Sequence, residues 1–171
     1  ITEQQYLEMC ACKTGCLARI VARLAAIVTG QSESVEQAVA NYAESMSVAF
    51  QIGDDILDVE NSLDRAGDFG KAFGNDIREG KKTLLVIHAV ENATPEDAAR
   101  LEDILWADEN TDEEIEWVLE LFQSTDSIEY ARERALELTE RARSHLDGLD
   151  LEPEPREQLA AFTRFVIERD V

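Results

Sequence analysis

The spacing of the apolar residues is the feature that most constrains how this chain can fold. They recur every three to four positions over long stretches, and no stretch shows a sustained alternation of apolar and polar residues. The first pattern is typical of helices with one buried face, and the second is typical of half-buried strands. The sequence therefore predicts an all-α fold, with helices over residues 2–28, 34–59, 83–91, from 95, 111–123, 127–146 and 155–168.

The charge balance excludes several classes of partner. The 171 residues include 37 Asp and Glu against 16 Lys and Arg, which gives a net charge of -21. Such a charge repels nucleic-acid phosphates and anionic lipid surfaces, so we expect no nucleic-acid partner. No apolar run approaches the roughly 20 residues that cross a bilayer, so we expect no transmembrane segment. The hydrophobic share of 44% is nevertheless that of a globular protein.

Lysine is scarce among the basic residues. Twelve of the 16 are arginine, and the four lysines are Lys13, Lys71, Lys81 and Lys82. A carboxylate-rich and lysine-poor surface stays hydrated in concentrated salt, where screening suppresses self-repulsion. The composition therefore predicts a salt-accumulating microbe as the source, with an ordinary acidic mesophile as the alternative. Because lysine is otherwise avoided, we expect the four that remain to have a function.

Three cysteines, Cys10, Cys12 and Cys16, lie within seven residues. One interpretation is a soft-metal or redox cluster. However, the predicted helix places Cys12 and Cys16 on one face with no fourth ligand nearby, and the odd number argues against a disulfide framework. We therefore interpret the cysteines as buried or half-buried small apolar residues of a protein in the reducing cytoplasm.

Three aspartates interrupt the apolar face of the second predicted helix. Asp54 and Asp58 are separated by four residues and Asp55 and Asp58 by three, so all three carboxylates share one face. Each such like-charge pair destabilises a helix by about 0.2–0.5 kcal/mol. Mg²⁺ would remove this conflict, because it prefers oxygen ligands and is commonly held by one or two carboxylates together with substrate phosphates. For this motif alone, a solvated acidic face remains the alternative.

The composition of residues 60–80 predicts a functional loop. This segment carries four of the eight glycines among charged residues, and three of the four lysines, Lys71, Lys81 and Lys82, lie in it or just after it. Long glycine-dense loops inside compact helical domains are commonly functional. Lysine point charges on a flexible backbone suit a polyphosphate whose metal is held by the aspartates. The segment is not a P-loop, since the G-x4-G-K-[ST] pattern is absent and no strand precedes it.

Taken together, three motifs resemble the trans-type isoprenyl diphosphate synthases, the polyprenyl synthetase family, of the geranylgeranyl or farnesyl diphosphate type. The motifs are K-T-G at 13–15, F-Q-I-x-D-D-x-L-D at 50–58 and G-K-x-x-G-x-D-I-x-E-G-K-x-T-L at 70–84. The resemblance implies an isoprenoid synthase-type helical bundle around a central cavity. It also implies that residues 1–171 are the C-terminal portion of a single prenyltransferase helical domain whose N-terminal half is absent. A haloarchaeon fits both this family and the composition.

The resemblance assigns the binding residues by position. Three residues match the second aspartate-rich motif of the family, which binds Mg²⁺ directly or through water: Asp54, Asp55 and Asp58. Three further residues match basic positions that bind the allylic diphosphate: Lys13, Lys71 and Lys81. The family has a first aspartate-rich motif and a seat for isopentenyl diphosphate, and we expect both to lie upstream of Ile1.

The catalytic residues implied by the resemblance are Lys13, Thr14 and Gln51. The last two match polar groups beside the carbocation that forms when diphosphate departs. Metal ions and lysines would stabilise the charge that develops on the leaving diphosphate. Isopentenyl diphosphate then attacks C1 of the allylic substrate, and loss of a proton completes the 1'-4 condensation.

The sequence thus predicts a Mg²⁺-dependent, cytoplasmic prenyltransferase that acts on an allylic diphosphate and isopentenyl diphosphate and forms a homodimer. We expect residues 1–171 alone to be inactive, because half of the metal site would be missing. Two alternatives stay open. One is a non-catalytic regulatory subunit of a prenyl diphosphate synthase, and the other is a related class I terpenoid synthase.

Overall fold

The computed structural model describes residues 1–65 and 73–168, and it confirms the all-α prediction, since these residues contain no strand. The helices are α1 (Glu3–Cys10), α2 (Cys16–Val28), α3 (Glu33–Arg65), α4 (Asn75–Arg78), α5 (Leu84–Asn92), α6 (Pro95–Trp106), α7 (Asp112–Ser124), α8 (Ser127–Ser144) and α9 (Pro153–Glu168). One π-helical turn, Ala11–Gly15, continues α1 into α2.

The described residues form two compact units. The first unit comprises residues 1–6 and 54–132, and the second comprises 7–53 and 133–171. In the first unit, α5 packs against α6 and α7, and α4 packs against α7. The second unit has its own apolar cluster, whose buried members come from α3, the end of α8 with the turn after it, and α9: Tyr42, Met46, Ala49, Ala142, Leu146 and Val166. Helix α3 contributes to both units.

Several helix ends follow from local sequence signals. The Thr94 hydroxyl accepts the Asp97 backbone N–H, and Pro95 occupies the start of α6. Thr111 and Glu114 form a reciprocal capping box at the start of α7, as their spacing predicts. After α2, Gly30 adopts the left-handed conformation with φ 73°. These side chains and this glycine satisfy backbone groups that a helix end leaves without an intrahelical partner.

Helix α3 differs from its prediction at both ends. It begins at Glu33, so Ser34 is already helical, and it continues to Arg65 rather than ending near 59. The segment 60–65 lacks glycine and is stabilised by tertiary contacts that the local pattern does not show. The buried Ser62 hydroxyl bonds the Asp58 carbonyl, and Glu60 forms an ion pair with Arg132. Within the predicted loop 60–80, residues 60–65 and Asn75–Arg78 are therefore helical.

The cysteine prediction holds for two of the three side chains. All three are free thiols; Cys10 is buried and Cys16 half-buried, but Cys12 is exposed. Cys12 was expected to have a buried side and is solvent-facing because the π-helical turn shifts the helical register at this position. Of the helices described, none is long and apolar enough to cross a membrane.

Candidate functional site

The aspartate motif, Asp54, Asp55 and Asp58, lies on the part of α3 that belongs to the first unit. Asp55 is buried, with 5% of its surface exposed, while Asp54 and Asp58 are half-buried. The hydroxyl of the buried Tyr6 donates a hydrogen bond of 2.6 Å to Asp55 Oδ2. Because a buried carboxylate needs hydrogen-bond partners, this phenol makes the burial of Asp55 tolerable and also orients it.

Asp58 is held by the backbone of the glycine-rich segment. The Asp76 N–H donates to Asp58 Oδ2 at 3.2 Å. Burial raises the pKa of the Asp58 carboxyl, and the Asp76 backbone hydrogen bond only partly opposes this effect. Desolvation raises a carboxyl pKa because it disfavours the ionised form, whereas a nearby cation lowers the pKa. A cation near Asp58 would therefore favour the ionised form of this side chain.

Lys81 is linked to Asp58 through Asp76, which contacts both residues. Its ammonium forms ion pairs with Asp76 and, at 3.1 Å, with Glu79. The hydrogen bond to Asp76 raises the Lys81 pKa above its ordinary value, so the side chain stays protonated at neutral pH. Asp76 thus contacts Asp58 through its N–H and Lys81 through its carboxylate. An ammonium has three N–H donors, so two carboxylate partners do not exhaust it.

The end of the glycine-rich segment is held within the first unit by several hydrogen bonds, of which that of Gly74 is buried. The Gly74 N–H donates to the Ser62 hydroxyl at 2.8 Å, and Gly74 itself has φ 65°. The Arg78 guanidinium donates to the carbonyls of Phe73 and Asn110 and pairs with Asp112. These contacts determine where the Asp76 N–H and Lys81 lie relative to Asp58.

The predicted catalytic residues of the second unit are partly brought together. The Thr14 hydroxyl donates to Gln51 Oε1 at 3.4 Å, so these two side chains are neighbours. Lys13 is exposed, and both Lys13 and Thr14 lie in the π-helical turn. Single π-helical turns within α-helices are rare and frequently occur at functional sites. Lys71 lies outside the described residues.

The donor chemistry of the aspartate motif fits Mg²⁺ without forming a complete cage. Within residues 1–65 and 73–168, no three His, Cys, Asp or Glu side chains converge closely enough to hold a metal ion by themselves. Mg²⁺ keeps several waters and is usually held by one or two carboxylates plus substrate phosphates, so this arrangement agrees with its preference for oxygen. Residues that would hold it are Asp54, Asp55 and Asp58.

Three residues of this site were not predicted from the sequence. They are Tyr6, Asp76 and Ser62; the first two contact the aspartate motif from distant parts of the chain, whereas Ser62 lies one turn after Asp58 and bonds Gly74. Asp76 stands within the third motif at 70–84, which was its only sequence signal. Tyr6 and Ser62 gave no sequence signal, because the sequence does not show which partner a buried hydroxyl on a helix contacts.

Comparison with known proteins identifies the family. A family model described as polyprenyl synthetase matches residues 1–122. A geranylgeranyl pyrophosphate synthase of Geoglobus acetivorans is 39% identical over 170 residues, which cover 99% of this chain and 50% of that protein. The chain belongs to the polyprenyl synthetase family. The crystal structure of a geranylgeranyl pyrophosphate synthetase from Pyrococcus horikoshii matches 99% of the chain and 50% of its own length, with TM-score 0.84 and 32% identity.

A further family member differs in its product. A geranylfarnesyl diphosphate synthase of Natronomonas pharaonis is 33% identical over 169 residues, covering 99% of this chain and 47% of that protein. The chain thus spans about half the length of the curated relatives that it matches. The family resemblance and the fold class expected from the sequence are both confirmed.

Proposed function

We propose that this chain is part of a Mg²⁺-dependent trans-prenyltransferase that condenses isopentenyl diphosphate with an allylic diphosphate, to give geranylgeranyl or farnesyl diphosphate. The observation that carries the proposal is the aspartate motif of α3, in which Asp58 is linked through Asp76 to Lys81. Oxygen ligands next to a lysine suit a metal-bound diphosphate. Membership of the polyprenyl synthetase family supports the same reaction.

Mg²⁺ would neutralise charge on the diphosphate as it leaves the allylic carbon. Asp54, Asp55 and Asp58 are the residues of this chain that would hold it. Tyr6 and the Asp76 N–H orient two of these carboxylates before substrate arrives. Such preorganised groups contribute more to a reaction than groups that must reorient during it.

The lysines and the oxygen dipoles complete the proposed chemistry of the chain. Lys13, Lys71 and Lys81 would bind the allylic diphosphate, and Lys81 would exchange part of its contact with carboxylates for diphosphate oxygens. The hydrogen-bonded pair Thr14 and Gln51 would direct oxygen atoms toward the allylic cation. These assignments to individual residues rest on the motifs at 13–15, 50–58 and 70–84.

The organisation of the complete protein is part of the proposal. Residues 1–171 would be the C-terminal portion of one prenyltransferase domain, inactive alone, and the complete chain would be a cytoplasmic homodimer. Relatives that are about twice as long support the statement that these residues are a portion of a longer domain. Sedimentation velocity of the full-length chain checks the dimer, and incubation of residues 1–171 with labelled isopentenyl diphosphate checks the inactivity.

The activity is tested with the full-length chain, labelled isopentenyl diphosphate and geranyl or farnesyl diphosphate as the acceptor. We expect Asp54→Asn and Asp58→Asn each to lower the condensation rate by about 100-fold or more, as removal of an electrostatic stabiliser does. Asp103→Asn is the matched control, since it removes the same charge from an exposed helical position.

Two outcomes would contradict the prenyltransferase assignment. A full-length chain that makes no elongated product, or aspartate variants as active as Asp103→Asn, would favour the non-catalytic subunit instead. A cyclised or head-to-head product would favour the related class I terpenoid synthase. Radio-chromatography of the dephosphorylated products distinguishes these cases and gives the chain length.

A further inference from the structure

We infer that Tyr6 is a positioning residue for the metal site, acting through Asp55. The inference rests on the proposed function, because it takes Asp55 as one of the residues that hold Mg²⁺. Its basis in the structure is the hydrogen bond of 2.6 Å from the Tyr6 hydroxyl to Asp55 Oδ2, between side chains that are 1% and 5% exposed. The two residues are 49 positions apart, and both belong to the first unit.

Geometry makes the phenol an effective support. A hydrogen bond from a neutral hydroxyl to a carboxylate is charge-assisted and short, so it holds the acceptor more strongly than a bond between neutral groups does. The Tyr6 ring is rigid and completely enclosed, so its oxygen cannot move far from this position. Tyr6 therefore fixes the rotation of the Asp55 carboxylate about its side chain.

The charge of the donor is as important as its position. A lysine or arginine at this place would neutralise Asp55 and compete with a metal ion for it. A phenol is an uncharged donor, so it orients the carboxylate and leaves its negative charge in place. Groups that orient metal ligands in this way commonly contribute 10- to 100-fold to metal affinity.

The chain contains two matched controls for Tyr6. Tyr130 also donates from its hydroxyl to a carboxylate, that of Glu3, outside the aspartate motif. Tyr42 is buried like Tyr6, and its hydroxyl donates to the Leu159 carbonyl at 3.0 Å. Replacement of either by phenylalanine removes one phenolic hydrogen bond. Neither of these two hydrogen bonds reaches a residue that is assigned to metal.

The first experiment measures Mn²⁺ binding to the full-length chain by electron paramagnetic resonance of the free ion. We expect Tyr6→Phe to raise the dissociation constant about 10-fold. Tyr42→Phe and Tyr130→Phe should leave it unchanged. In an Asp55→Asn background, Tyr6→Phe should have no further effect, because the route through Asp55 is already lost. A wild-type dissociation constant for Tyr6→Phe, or a full effect in the Asp55→Asn background, would overturn the inference.

Failure of the metal assignment itself gives a different result. If Asp54→Asn, Asp55→Asn and Asp58→Asn all bind Mn²⁺ as wild type does, the proposed function is wrong whatever Tyr6 does. If these variants lose affinity but Tyr6→Phe does not, only the role of Tyr6 is wrong. Saturating Mg²⁺ should restore most of the condensation rate of Tyr6→Phe, which a general loss of folding would not allow.

A second measurement leaves the hydrogen bond intact and so avoids a destabilised variant. The full-length chain is prepared with 3-fluorotyrosine at position 6 or at position 130. Addition of Mg²⁺ should shift the fluorine resonance of the label at position 6, since the phenol contacts a metal-binding carboxylate. The label at position 130 should not respond. An unchanged resonance at position 6 would contradict the inference.

Discussion

Ser62 is the side chain whose removal should loosen the glycine-rich segment beside Asp58. Its buried hydroxyl donates to the Asp58 carbonyl at 2.6 Å and accepts the Gly74 N–H at 2.8 Å. Ser62→Ala leaves that buried N–H without its acceptor, which costs about 1–3 kcal/mol. The surroundings of Gly74 are closely packed, since a Cβ at this position would lie 2.3 Å from Ile115 Cγ2.

Ser47 on the same helix provides the control. Its hydroxyl donates to the Ala43 carbonyl four residues earlier, as that of Ser62 does to Asp58, but it is bonded to no loop amide in the described part of the chain. A serine that only bonds back to its own helix contributes little or even destabilises slightly. We therefore expect Ser47→Ala to change the free energy of unfolding by less than about 0.5 kcal/mol.

The assay is urea unfolding of both variants of the full-length chain, followed by circular dichroism, with amide hydrogen exchange of Gly74 and Asp76. Ser62→Ala should lose about 1–3 kcal/mol more than Ser47→Ala does. Exchange should accelerate at both amides, because Asp76 follows the anchored glycine and donates to Asp58. Equal stabilities and unchanged exchange would refute the anchoring role of Ser62.

Three further predictions concern stability. Gly80→Ala should lower the free energy of unfolding in urea by about 2–5 kcal/mol, because the backbone is left-handed at φ 62° and the new Cβ would lie 2.5 Å from the Leu105 carbonyl oxygen. Gly30→Ala has the left-handed strain alone and should lower it by about 1–2 kcal/mol. Equal losses for the two variants would contradict the effect of the Leu105 contact. Burial raises the pKa of Tyr42 to about 12, so the folded state holds this proton more tightly than the unfolded state. Stability should therefore fall by about 2 kcal/mol between pH 10 and pH 12, and Tyr42→Phe should lack this loss in alkaline titrations. Finally, with a net charge of -21, the free energy of unfolding should rise from low to molar KCl, and no rise would contradict salt adaptation.

The sequence predicts those parts of the fold that depend on neighbouring residues. The caps at Thr94 and Thr111 are formed as their spacing indicates. The extension of α3 to Arg65 was missed because Ser62 is buried by partners farther along the chain. The π-helical turn at Ala11–Gly15 was missed as well, since apolar periodicity does not distinguish one extra residue in a helical turn.

In the candidate site, too, the sequence predicts the features that depend on neighbouring residues and misses those that depend on distant ones. Asp54, Asp55 and Asp58 could be predicted because three- and four-residue spacings define one helix face. Their supports could not, since the Tyr6 and Asp76 donors lie 49 and 18 residues from the carboxylates that they contact. Contacts over such separations depend on tertiary packing, which no local pattern contains.

The chemical nature of these supports bears on the proposed cation site. Tyr6 and the Asp76 N–H are neutral donors, so they orient Asp55 and Asp58 without cancelling their charge. The positive charge of Lys81 is instead held on Asp76 and Glu79. Burial raises the pKa of Asp58 because it disfavours the ionised carboxylate. Under the proposed function, a divalent ion held by the motif would favour the ionised form of Asp58, and Lys81 would bind the diphosphate held by that ion.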